Sequence, residues 1–145
     1  VLAYDLQQKA LDSAQDLLCK NLSKKQIDRI HFIRSCHTLL PKKSEFFPVK
    51  CIVYNLGYLP GSDKSMTTKV STSLESIRKA LDLVCEGGAV SITCYPGHPE
   101  GEAEARGILD FMCDLPSKEW NVCQHRWVNR PKSPSLFFLQ KSLVL

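Results

Sequence analysis

The hydrophobic positions of this chain recur at two periods, and the switch between them divides it into elements. Val1 to Tyr4 is a short apolar run ending in Asp5, which predicts a strand beginning at or before the first residue. Ala10, Leu11, Ala14, Leu17 and Leu18 then fall at helical spacing, with Gln7, Gln8, Lys9, Gln15 and Asp16 on other faces. They predict an amphipathic helix from about Leu6 to Lys20. Asn21 to Asp28 is polar and reads as a loop with room for a helical turn. Ile30-His31-Phe32-Ile33 is the next strand, followed by a short irregular segment reaching Pro41 and a surface connection, Lys42-Lys43-Ser44-Glu45. Val49 to Tyr54 is β-branched and apolar between Pro48 and Gly57, the pattern of a buried strand. A second helix is predicted over Ser73 to Cys85, with Leu74, Ile77, Leu81 and Val84 as its core stripe and Gly87-Gly88 as its stop. Ala89 to Cys94 is a strand. Glu102 to Leu115 is a helix burying Ile108, Phe111, Met112 and Leu115, with Glu100, Glu102 and Glu104 near its start suiting the helix dipole. Trp120 to Val128 and Leu136 to Gln140 are two last strands, joined through Asn129 to Pro134 as a hairpin.

Strands alternating with helices imply an α/β fold, a mostly parallel sheet covered on both faces, with the closing hairpin turning one strand antiparallel. In such sheets ligands bind outside the carboxyl ends of the strands. Two loops occupy that place. One is Asn55-Leu56-Gly57-Tyr58-Leu59-Pro60-Gly61-Ser62-Asp63-Lys64, the other Tyr95-Pro96-Gly97-His98-Pro99-Glu100-Gly101. The first could equally be a plain strand-to-helix connection with two glycines for tight turns.

Composition narrows the class. At 145 residues the length suits one domain, and 43% hydrophobic with 23% charged residues excludes a disordered chain. No run is long and apolar enough to span a membrane, and the first residues lack a signal-peptide pattern. The expected location is cytoplasmic, or the stroma or matrix of an organelle. The seven cysteines form no C-x-x-C pair, which predicts free thiols, no disulfide framework and no metal site. Cys36-His37 alone is a weak metal signal. A net charge of +4 permits a polyanionic partner without requiring one.

The two loops also carry a resemblance. A parallel sheet closed by an antiparallel hairpin looks like the Rossmann-like class I S-adenosylmethionine-dependent methyltransferases. Within them, Asn55-Leu56-Gly57-Tyr58-Leu59-Pro60-Gly61 with Asp63-Lys64, and Gly97-His98-Pro99-Glu100-Gly101, closely resemble the YtqB-type rRNA methylases. Asp5-Leu6-Gln7 resembles that family's Asp-Ile-Gln after its second strand. The likeness covers essentially the whole chain, in order. It implies methyl transfer from S-adenosyl-L-methionine to RNA, and a group within the family acts on the aminomethyl group of a modified wobble uridine in transfer RNA. The partner expected is tRNA or rRNA, with a homodimer left open.

The resemblance also distributes roles. Asp5, with Gln7 beside it, stands where a carboxylate accepts hydrogen bonds from a ribose diol, with capping of the following helix as the plain alternative. Cys36 and His37 follow the next strand, where the superfamily borders the adenine, or form only a local turn. Asn55, Leu56 and Gly57 are expected at the cofactor, and Asn55 and the Leu56 carbonyl also at the target. Asn55 to Tyr58 resembles the Asn-Pro-Pro-Tyr motif of enzymes that methylate amino nitrogens. The Asn55 oxygen and Leu56 carbonyl would accept the amine's hydrogens and aim its lone pair, while Tyr58 would stack on the base. Leu56-Gly57 in place of Pro-Pro makes this loop less rigid. His98 is a candidate proton relay or substrate contact, or else a helix-start residue. Asp63, Lys64, Tyr95, Glu100 and Arg130 complete the expected substrate contacts. Arg126, Lys132, Lys24, Lys25 and Arg29 could meet phosphates or stand in solvent.

One departure from the family is large. Class I methyltransferases begin with a strand and a glycine-rich turn, whereas nothing here precedes the strand at Val1. The superfamily strand order, 3-2-1-4-5-7-6, then implies either an empty place between the Val1 and Val49 strands or direct pairing of the two. Weak cofactor binding by these residues alone is expected. The reading from another class is a non-catalytic, truncated RNA-binding or subunit-interaction module.

Overall fold

The computed structural model describes residues 1–41, 48–57 and 68–143. The chain divides into two compact units, Val1–Leu39 and Leu40–Leu145.

In the first unit, β1 (Leu2–Asp5) lies parallel to β2 (His31–Arg34), with Leu2 opposite His31 and Asp5 opposite Arg34. The crossover contains α1 (Gln8–Asn21) and the one-turn α2 (Lys24–Ile27). The helical turn expected in the polar stretch is therefore present. A capping box starts it: the Gln26 side chain accepts from the Ser23 backbone N–H at 2.9 Å. A 3₁₀ turn, His37–Leu39, follows β2.

The second unit holds a four-stranded sheet in the order β3-β4-β6-β5. Its strands are β3 (Val49–Asn55), β4 (Val84–Cys94), β5 (Trp120–His125) and β6 (Ser135–Lys141). β3 and β4 are parallel, and β6 runs antiparallel to both β4 and β5. Only the hairpin's return strand is reversed, as the sequence predicts. Each unit reproduces its part of the expected strand order. Within the first unit β1 pairs with β2, and within the second β3 pairs with β4.

The core of this unit forms because alternate residues of β4 and β6 share a face. Val90, Ile92, Cys94, Phe137 and Leu139 are fully buried there. Two helices pack onto it, α3 (Val70–Leu83) through Ile77, Ala80 and Leu81, and α4 (Pro99–Cys113) through Ile108 and Met112, and Tyr54, Leu56, Val84 and Trp120 join the same cluster. Each of the Val, Leu, Ile, Phe and Met side chains here contributes roughly 1.5–3 kcal/mol when fully removed from water.

The end of α3 departs from the sequence reading. The helix stops at Leu83, and Gly87-Gly88 lie inside β4, where its register shifts against β3 between Val49 and Cys51. Its stop is a cation. Lys141 Nζ donates to the carbonyls of Leu81 at 3.1 Å and Val84 at 3.0 Å, satisfying groups the last turn leaves open. Val84 is accordingly the first residue of a strand and not the last of a helical stripe.

Candidate functional site

Parallel strands bring their carboxyl ends to one edge, and the candidate residues gather at those edges in both units. In the first unit, Asp5 ends β1, and Gln7, Cys36 and His37 follow β1 and β2. Asp5 Oδ1 accepts the Gln7 backbone N–H at 2.7 Å. The helix cap proper is Gln7, whose carbonyl accepts from Ala10 at 3.0 Å and Leu11 at 3.3 Å. Asp5 therefore makes an Asx-type turn that bridges strand to helix. This engages one carboxylate oxygen and leaves acceptor capacity on the other. Beyond β2, the Thr38 hydroxyl donates to Cys36 Sγ at 3.1 Å, so Cys36 and His37 open a compact turn.

In the second unit, Asn55 ends β3 with its side chain exposed. Tyr95, the residue after β4, donates its hydroxyl to Asn55 Oδ1 at 2.8 Å. The chain then dives inward: Leu56 is 3% exposed and its N–H bonds the Thr93 carbonyl at 3.0 Å. Gly57 turns with φ +128°, a conformation that side chains resist. Asn55 is thus held on the rim between two buried neighbours, Tyr54 and Leu56, just ahead of the glycine turn. Tyr58, Asp63 and Lys64 lie outside the described residues.

Across the edge, His98 is the N-cap of α4, and its Nδ1 accepts the Gly101 N–H at 3.0 Å. That bond places the neutral ring's proton on Nε2. Glu100 Oε2 stands 3.4 Å from the same Nδ1, a favourable contact once the ring is protonated. Gly101 explains the loop's shape, because a Cβ there would collide with the Tyr95 carbonyl oxygen and lie 2.9 Å from His98 Cε1. Arg130 sits in the exposed β5–β6 connection, its N–H bonded to the Trp127 carbonyl at 3.2 Å.

Behind the rim lies a polar network that the sequence pattern does not announce. Glu104 is 2% exposed. Its Oε1 accepts from the Ser73 hydroxyl at 2.6 Å and its Oε2 from the Thr68 hydroxyl at 2.9 Å. Thr68 Oγ1 in turn accepts the Gly57 N–H at 3.0 Å. A buried carboxylate on α4 therefore reaches, through one hydroxyl, the backbone of the turn that carries Asn55. Of the three acids read as dipole partners, Glu104 is inside. The available signal was its position four and eight residues before Ile108 and Met112, on the apolar stripe. Two neutral groups also line this interior. Burial pushes the Cys94 thiol up to about 12, with the Glu104 charge adding to the rise. Burial likewise raises the Tyr54 phenol to about 12, partly offset by its 2.7 Å hydrogen bond with Ser76 Oγ. Neither is poised as a nucleophile at neutral pH.

A split parallel and antiparallel sheet with polar loops at its carboxyl edge is the arrangement of the class I methyltransferases, and solved structures bear out the fold. A putative rRNA-methylase from Clostridium thermocellum superposes with a TM-score of 0.85 at 28% identity, over 97% of this chain and 74% of that one. A putative methyltransferase from Streptococcus mutans, solved in complex with SAH, gives 0.81 at 27% identity, over 97% and 75%. The family described as Putative rRNA methylase matches residues 1–141, and this chain belongs to it. A curated relative, the chloroplastic tRNA (mnm(5)s(2)U34)-methyltransferase of Arabidopsis thaliana, is 34% identical over 97% of this chain. The chain spans about half of that relative's length, 52%.

The donor set suits an adenosyl cofactor. In the first unit, the strand-end carboxylate of Asp5 keeps a spare acceptor oxygen, the kind of group a ribose diol requires. No helix among the described residues is long and apolar enough to cross a membrane.

Proposed function

We propose that this chain belongs to an S-adenosylmethionine-dependent RNA methyltransferase that methylates the 5-aminomethyl group of the wobble uridine, position 34, of tRNA, the nucleotide in the name of the Arabidopsis relative. The observation that carries the reading is the Asn55 side chain, fixed at the carboxyl end of β3 by the Tyr95 hydroxyl. Asp5 and Gln7, with Cys36 and His37 after the neighbouring strand, hold the adenosine portion. Asn55, Leu56 and Gly57 face its reacting end. The cofactor supplies a methyl group already activated by a sulfonium, so the protein's task is alignment and exclusion of water.

Asn55 does the aligning. Its oxygen has two lone pairs, of which Tyr95 engages one, and the second accepts a hydrogen of the substrate amine. The Leu56 carbonyl takes the other hydrogen, which leaves the nitrogen lone pair directed at the methyl group. Tyr58 stacks on the base, and Asp63, Lys64, Tyr95, Glu100 and Arg130 contact the RNA. His98 can receive the amine's surplus proton only by giving up its cap, since Nε2 already carries the neutral ring's proton and the Nδ1 lone pair is engaged by Gly101. The experiment is methylation of wobble-modified and unmodified tRNA by the full-length protein, with the product nucleoside identified by mass spectrometry. A product on another nucleotide excludes this assignment.

A further inference from the structure

Strand register draws one row across the second unit. Asn55 stands opposite Thr93, Thr93 opposite Leu136, and Leu136 opposite His125. Three strand spacings separate the ends of this row, about 14 Å. At its far end the chain leaves β5 and crosses to β6 through Arg126 to Pro134. This connection sits at the carboxyl edge of β4: Ser135 pairs with Cys94, and the Lys132 carbonyl lies 3.7 Å from where a Cβ on Gly97 would be.

Its composition is unlike the rest of the molecule. The first 119 residues carry fifteen lysines and arginines against fifteen acids. The whole net charge of +4 therefore lies in the last 26 residues, as Arg126, Arg130, Lys132 and Lys141, with no acid among them. Lys141 is engaged at the end of α3, which leaves three cations on the connection. Between them Trp127 is 61% exposed and Val128 88%. The Trp127 ring stands 6.3 Å from the His125 ring, the last residue of the row. Trp120, in contrast, is 6% exposed with Lys141 over its face. An indole left in water among cations is a stacking surface for a nucleobase beside phosphate-binding charges.

We propose that Arg126 to Pro134 is a docking platform for unpaired RNA next to the target nucleotide. Trp127 stacks on a base a few nucleotides from the one presented at Asn55, and Arg126, Arg130 and Lys132 meet the intervening phosphates. This rests on the RNA-methyltransferase reading and adds to it a second base contact. The span of about 14 Å suits a few nucleotides of single strand, so the platform favours a loop over a duplex.

The test is binding of an RNA stem-loop of anticodon-arm size to the full-length protein across a salt series, with cofactor affinity measured alongside. Trp127→Ala weakens RNA binding by about 5-fold to 150-fold, and Trp127→Phe, which keeps a ring, retains most of it. The combined Arg126→Ala, Arg130→Ala and Lys132→Ala variant lowers the slope of log affinity against log salt by about 2. Thermal stability and cofactor binding stay unchanged in all three, because these side chains are exposed. RNA affinity and salt slope unaltered in both the Trp127→Ala and triple variants, with the parent still binding and methylating RNA, overturn the platform alone. A parent protein with no RNA affinity at all overturns the platform together with the RNA reading.

Discussion

The Tyr95 hydroxyl, just past the end of β4, donates to the Asn55 side-chain oxygen at the end of β3 across 2.8 Å. The bond ties two neighbouring strand ends and sets the direction in which Asn55 presents its remaining lone pair. Both residues are exposed, so its net contribution to stability is small, about 0.5–1.5 kcal/mol at most. Its value lies in orientation. Tyr95→Phe is therefore expected to leave the melting temperature within a few degrees of the parent. It should lower kcat roughly 10-fold to 100-fold, with a smaller change in KM, because misaligned reacting groups lose rate faster than they lose affinity. Steady-state kinetics with a tRNA substrate check the split, and an unchanged kcat would detach Tyr95 from alignment.

Asp5 carries two tasks that one substitution separates. Its Oδ1 holds the Gln7 N–H, so Asp5→Ala costs about 1 kcal/mol of stability through the lost turn. A lost ribose contact additionally weakens cofactor binding by about 1–3 kcal/mol. Asp5→Asn retains the turn acceptor and recovers stability more than cofactor affinity. Calorimetry with S-adenosylhomocysteine and a thermal melt read the two effects separately. Lowered stability with unchanged affinity would assign Asp5 to the turn only.

The Glu104 network predicts coupling between a buried acid and the rim. Glu104→Ala leaves the Ser73 and Thr68 hydroxyls without their acceptor and is expected to cost about 2–4 kcal/mol. Thr68→Val is milder for the fold but releases the Gly57 N–H, loosening the turn that carries Asn55. It should lower kcat more than it lowers melting temperature. A Thr68→Val variant with parental kcat would make the network structural only.

The legible part of the molecule is what periodicity encodes. The strand and helix stripes through Ile92, Phe137, Ile77 and Ile108 appear in the sequence at periods of two and nearly four, and the structure buries them. The strand-end position of Asn55 and the place of His98 in the loop after β4 follow from the same pattern. What periodicity misses is tertiary. Gly87-Gly88 resemble a helix stop, yet α3 is ended by Lys141, 58 positions beyond Leu83. Glu104 reads as a first-turn acid because its partners, Ser73 and Thr68, come from another helix and the segment before it. The sequence places Trp127 inside a strand that in the structure ends two residues earlier, at His125.

Two buried acids set an alkaline limit on stability. Both the Cys94 thiol and the Tyr54 phenol are raised to about 12 by burial, from ordinary values of 9.0 and 10.0. The native state holds these protons more tightly than the unfolded chain. Stability is thus fully present below about pH 9 and falls progressively between pH 9 and 12 as the unfolded chain loses protons that the native state keeps. Tyr54 alone accounts for about 3 kcal/mol of this loss. Denaturant unfolding from pH 7 to 11 should show a flat profile and then a decline, and Tyr54→Phe should remove part of the decline. A profile that stays flat to pH 11 would contradict the burial of both groups.

Identification of the methylated atom tests the central claim most directly. The full-length protein is incubated with labelled methyl donor and with tRNA that carries or lacks the wobble aminomethyl group, and the digested RNA is analysed by mass spectrometry. The account predicts a methyl group on the exocyclic amine of the aminomethyl-bearing tRNA only, at a rate that rises with pH as the amine deprotonates. Asn55→Ala should abolish most of the rate while RNA affinity holds. A methyl group on a ribose hydroxyl or a ring carbon, or full activity in Asn55→Ala, would contradict it.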